Sequence, residues 1–189
     1  MTTVNGLPAH ILLVHAIVVL LPLAALLLVL SALWPAARAK LAGPNAILAV
    51  LVVVLVPITT DAGEWLERRV ASTPAVRTHT ELGDTALWVA LPVAVLAVVV
   101  WWRRRESLQD QAADTTSAGS TSAGSTAVAT RRRTFLAPAS TAVTTVLSVL
   151  SIAAAGATFY DIYRIGDSGA QASWQGQFSA TPTPRGPGH

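Results

Sequence analysis

From residue 11 to residue 33 the chain contains no Lys, Arg, Asp or Glu, and no other feature constrains its fold as strongly. At about 1.5 Å of rise per helical residue, this run can cross roughly 30 Å of hydrocarbon. Further apolar runs at residues 46–58, 83–102 and 136–160 repeat the pattern. The fold class predicted is all-α, a bundle of four transmembrane helices in an integral membrane protein. Composition agrees: 52% apolar residues, 12% charged residues and a mean hydropathy of +0.54 are too apolar for a soluble domain of this length.

A formal charge of +3 also suits a nucleic-acid binder, but the basic residues fall in short clusters beside apolar runs rather than along one face. Their arrangement predicts membrane orientation and no nucleic-acid partner. The chain has no cysteine, which excludes disulfides, thiolate metal sites and cysteine nucleophiles. Lys40 is the only lysine, while Arg, Ala and Val are abundant, a usage that points to a bacterial envelope.

Taken in order, residues 1–9 hold no Lys or Arg, so the first apolar run reads as a permanent span rather than a cleaved leader. Pro22 falls inside it and predicts a modest kink. Gly43-Pro44 is expected to open the second helix. Its apolar part, 46–58, is short, so the helix must continue through Thr59, Thr60 and Asp61. Asp61 is thereby expected to be the most deeply placed acid. Glu64 and Arg68 are spaced as an i,i+4 pair. Thr73-Pro74 is an N-cap and first-turn signal from which the third helix is expected to run to Trp102. Trp101 and Trp102, followed by Arg103, Arg104 and Arg105, form an aromatic belt and a basic stop.

Four regions follow: helices one to three and a polar loop in 1–105, a disordered linker in 106–133, the fourth helix in 134–165 and a disordered tail in 166–189. The linker holds a tandem Thr-Ser-Ala-Gly-Ser repeat beginning at Thr116 and Thr121. Neither it nor the tail has enough apolar content to offset the entropy of ordering. Ser148, Ser151, the alanines 153–155 and Gly156 offer small residues for close helix contact.

Counting basic residues sets the orientation. Arg38, Lys40 and the arginine triplets at 103–105 and 131–133 lie on one side, and the triplets abut their helices. The opposite side has Arg68, Arg69, Arg77, Arg164 and Arg185. The positive-inside bias predicts a cytoplasmic linker and both termini outside, in the plasma membrane.

That topology gathers His10, His15, Asp61, His79, Glu81, Asp84, Tyr160 and Asp161 at the outer face. Ionisable groups at membrane depth mark function by default. Imidazoles can ligate haem iron or a transition metal, with a carboxylate on the second ring nitrogen fixing the tautomer. The candidate cofactor-binding residues are therefore His15 and His79 as ligands, Asp61 as the orienting acid, and His10. Two other readings stand beside this one: a neutral packing pair of His15 and Asp61, and a proton or solute pathway. The sequence has no HExxH, nucleophile elbow or phosphate loop, so no catalytic residue is assigned.

The stretches Asn5-Gly6-Leu7-Pro8-Ala9-His10, Val14-His15 and Leu21-Pro22-Leu23-Ala24, with Asp61 and His79 before Leu82-Gly83, resemble a bacterial family of small four-helix membrane proteins, the domain of unknown function 2231. The resemblance covers nearly the whole chain except the repeat linker and the tail. It implies a four-helix membrane bundle and no established activity. The family often has proline after the first histidine and an aromatic residue after the second, where this chain has Ile11 and Ala16. Two functional classes follow: a haem- or metal-binding module in a redox or accessory role, and a non-catalytic scaffold that packs against a membrane-protein partner or another copy of itself.

Overall fold

The computed structural model describes residues 3–4, 6–118 and 140–176. A two-residue antiparallel pairing, β1 (Thr3–Val4) with β2 (Leu7–Pro8), turns at Gly6, whose φ of 83° is a conformation that favours glycine. It leads directly into α1 (Ala9–Leu33). There follow α2 (Pro35–Glu67), the short α3 (Pro74–Gly83), α4 (Ala86–Ala118) and α5 (Thr141–Trp174). The four long helices are apolar and long enough to cross a membrane. They form an antiparallel ring in which α1 packs on α2 and α5, and α4 closes the ring against both. α3 lies against α5 at the end of the bundle that carries His10 and His79.

The bundle is small inside and large outside. Ala24, Ala25, Leu28, Ala42, Ala49, Val93, Ala94, Ala97 and Ala155 form one buried cluster. Ile47, Leu51, Val54, Val95, Val149 and Phe159 point outward. Small buried residues let helix backbones approach closely, the packing expected where lipid removes any hydrophobic drive between helices. On α5 the seam is Ser151, Ala155 and Thr158, all buried, whereas Ala153 and Gly156 are exposed. The i, i+4, i+7 spacing selects these three from the wider run of small residues.

Several expected boundaries are corrected. α2 starts at Pro35, not at Gly43-Pro44. Trp34 is extended (φ −118°, ψ 114°), as a residue before proline prefers, and Pro35 takes the first helical turn, where a missing N–H costs nothing. The third helix is two helices. Its break falls at Asp84-Thr85, where the Thr85 side chain reaches back to Leu82 O at 2.6 Å and competes with the backbone ladder. Thr73 caps α3 as expected, accepting a hydrogen bond from the Val76 amide at 3.2 Å.

α4 continues past the arginine triplet to Ala118, and α5 continues to Trp174. Both enter regions expected to be disordered. The reason is local: Arg, Glu, Leu, Gln and Ala are strong helix formers after residue 103, and Gln171 donates to Asp167 one turn back at 2.8 Å. The remainder of the expected linker and tail, at 119–139 and 177–189, lies outside the described residues.

Candidate functional site

Each long helix ends near the same place at the histidine end of the bundle. Pro8 releases the chain from the β1–β2 turn, which sets His10 on the first turn of α1. Its Nδ1–H donates to the carbonyl of Thr59 on α2 at 3.0 Å. The ring lies over Gly63, one turn further along α2. A Cβ there would stand 3.0 Å from Cε1 and 3.1 Å from Nδ1, tight enough that the ring would have to shift by a few tenths of an ångström. His79 on α3 is held in the same way by α5. Its Nδ1 is 3.1 Å from Ser168 Oγ, and a Cβ on Gly169 would meet its Cε1 at 3.0 Å.

The hydrogen bonds fix which nitrogen carries the proton. The Ser168 hydroxyl is buried and donates its single proton to Ile165 O at 2.9 Å, so toward His79 it can only accept. Nδ1 of His79 is therefore the donor, and so is Nδ1 of His10 facing a carbonyl. The side-chain contacts engage Nδ1 of each ring, and the Ile165 backbone carbonyl also acts on the His79 ring. The two rings stand 6.5 Å apart between centroids and 72° from parallel.

Both histidines line a cavity of about 930 Å³ among α1, α2, α3 and α5. Its rim carries Glu64, Glu67, Glu81 and Asp84 with Arg68. Arg68 and Glu64 form the expected i,i+4 pair at 3.7 Å, both well exposed. A volume of this size lies in the range of small-molecule and cofactor sites. Among the described residues no group of three or more His, Cys, Asp or Glu side chains is placed to hold a metal ion. A metal caged by three or four protein ligands thus has no donor set here; a centre needing only two nitrogen ligands does.

The expected trio of His15, Asp61 and His79 is not brought together. His15 lies on the cavity wall but is exposed, with its Nδ1 on Ile11 O of its own helix. Asp61 is exposed, outside the cavity lining, and pairs with neither ring. Tyr160 faces outward, under the Arg164 guanidinium. The residues that orient the imidazoles are Thr59 and Ser168, each set beside a ring-seating glycine one turn or one position away.

Asp161, rather than Asp61, is the buried acid, with 7% of its surface exposed. Thr85 Oγ1 lies 2.7 Å from Asp161 Oδ1 and 2.6 Å from Leu82 O, so one hydroxyl proton serves two acceptors. Asp161 Oδ2 has no partner, and no salt bridge reaches the group among the described residues.

No protein-family model matches the chain, and neither a curated protein nor a solved structure matches it.

Proposed function

We propose that this is a multi-pass membrane protein whose cavity binds haem through Nε2 of His10 and His79, in a redox or accessory role. The observation that carries the reading is the pair of anchored rings. Each Nδ1–H is already committed to a protein acceptor, which leaves two Nε2 lone pairs on one cavity. An anchored second nitrogen is what fixes a ligating imidazole in tautomer and direction. With ring centroids 6.5 Å apart on one cavity, His10 and His79 would be the residues to hold the haem iron. The macrocycle supplies the remaining four ligands, which suits a chain that offers two. The outward-facing Ile, Leu, Val and Phe side chains support placement in a bilayer, since a soluble surface rarely exposes so continuous an apolar band. Kinship with the domain of unknown function 2231 belongs to the same proposal, on the sequence resemblance that includes His10, His15, Asp61 and His79.

Purified protein, expressed with haem available, is expected to show a haem absorption band that His10→Ala and His79→Ala each remove. His15→Ala and Asp61→Asn are expected to retain it. Protein that carries neither haem nor a transition metal on elemental analysis would instead support the scaffold reading.

The orientation proposed is termini outside. A reporter fused after Ser120 is expected to read cytoplasmic and one at the C-terminus external, because the arginine triplets abut the apolar runs on the linker side. The reverse pattern would move the histidine cavity to the cytoplasmic face.

A further inference from the structure

The opposite end of the bundle holds a second, smaller cavity of about 40 Å³, lined by Arg38, Arg103, Arg104, Ser107 and Thr144 among others. We propose that it is a phosphate-binding site for the headgroup of an anionic phospholipid. Three guanidinium-bearing residues from α2 and α4 converge on it, and among the described residues its lining contains no carboxylate. Arg103 is 6% exposed and forms the floor of the cavity beside Thr144. Its Nη2 reaches Thr144 Oγ1 at 3.2 Å and Ser140 O at 3.4 Å. Glu106, one turn on, attracts it electrostatically, and Arg103 makes further contacts besides, so anion binding rests on Arg38 and Arg104.

Arg38 is oriented by carbonyls at the end of α1, donating to Ser31 O at 2.8 Å and Ala32 O at 2.6 Å. These are weak partial charges that position the fork without neutralising it. The Arg104 guanidinium is half-buried and makes no hydrogen bond or ion pair among the described residues.

Size and place both select phosphate. At about 10–15 Å³ per water-sized group, 40 Å³ accommodates roughly three, room for the two non-bridging oxygens of a phosphodiester and little more. Guanidinium forks complement phosphate oxygens in pairs. Basic pockets between helices at the membrane surface meet such groups at high local concentration, because lipid headgroups line that surface. The inference rests on the membrane reading alone and is independent of the histidine cavity.

Thermal unfolding of the full-length protein in detergent, titrated with dioctanoyl phosphatidylglycerol, tests it. Wild type is expected to show a saturable rise in midpoint that dioctanoyl phosphatidylcholine does not reproduce. Arg104→Gln should weaken the phosphatidylglycerol effect about tenfold, as loss of a charge-assisted bond does. Arg105→Gln removes a charge from the same triplet, but Arg105 sits over the Trp101 ring, outside the cavity lining. It should change the response less than twofold. Equal responses to the two lipids, or equal losses from the two variants, would overturn the proposal. Inorganic phosphate at matched concentration separates the sources: no shift is expected, and a shift equal to that of the lipid would assign the pocket to a free anion instead.

Discussion

Gly63→Val and Gly169→Val are each expected to abolish haem binding, with affinity falling at least about a hundredfold. A single added Cβ already meets His10 or His79 at 3.0 Å, and the branched methyls of valine leave the ring no space over the helix. Changes to groups that orient a ligating imidazole cost about ten- to a hundredfold in affinity. Here the ring is displaced as well as loosened, so the upper end applies. Haem titration followed by absorption measures the loss, and the histidine side-chain resonances report the displaced ring directly. Gly156→Val is the matched control, because a Cβ at that exposed helical position meets nothing within 4 Å. If the Gly156 variant loses binding equally, helix destabilisation rather than ring seating is responsible.

The second large effect concerns the buried acid. Thr85→Val keeps the side-chain shape but removes the one hydrogen-bond partner of Asp161 among the described residues, and is expected to lower stability by about 3 kcal/mol. The double variant Thr85→Val with Asp161→Leu should recover to within about 1 kcal/mol of wild type, since replacing both members of a buried polar pair is often close to neutral. A double-mutant cycle in mild detergent, read by denaturant or heat, gives the coupling. Additive losses in the two single variants would show that the Thr85–Asp161 contact contributes nothing.

The four long apolar helices were legible because each contains an apolar run of about bilayer length, a signal that depends on no neighbour. Thr73-Pro74 was legible for the same reason, as local capping chemistry. The site was legible as a place but not as a set of contacts. Helix parity brings His10, His15 and His79 to one end, yet depth along the chain favoured Asp61, four residues past Pro57, over Asp161. Rotation about the helix axis decides between them: Asp161 continues the buried seam of Ser151, Ala155 and Thr158, while Asp61 faces out. That phase appears in the sequence only as an i, i+3, i+4 alternation of small residues, which is faint in helices rich in alanine throughout. The partners of the imidazoles are a backbone carbonyl and a serine hydroxyl, neither of which has a compositional signature. Glycines 63 and 169 were the available hint, because a helical glycine away from a helix end often marks a close approach.

The helices differ in length, with 25 residues in α1 against 33 in α2, 33 in α4 and 34 in α5. At about 1.5 Å per residue the first measures about 37 Å and the others about 50 Å, against roughly 30 Å of hydrocarbon. The surplus of α2 and α5 projects at the histidine end, and that of α4 at the arginine end. The larger cavity is therefore walled by helix ends that acyl chains do not clamp laterally. Thickening the bilayer draws those ends into the hydrocarbon, and thinning it leaves them longer and freer to splay, each for fractions of a kcal/mol per ångström. In the bilayer placement proposed above, the geometry of the two imidazoles would follow acyl-chain length, and lipid composition would act on the cavity without any lipid entering it.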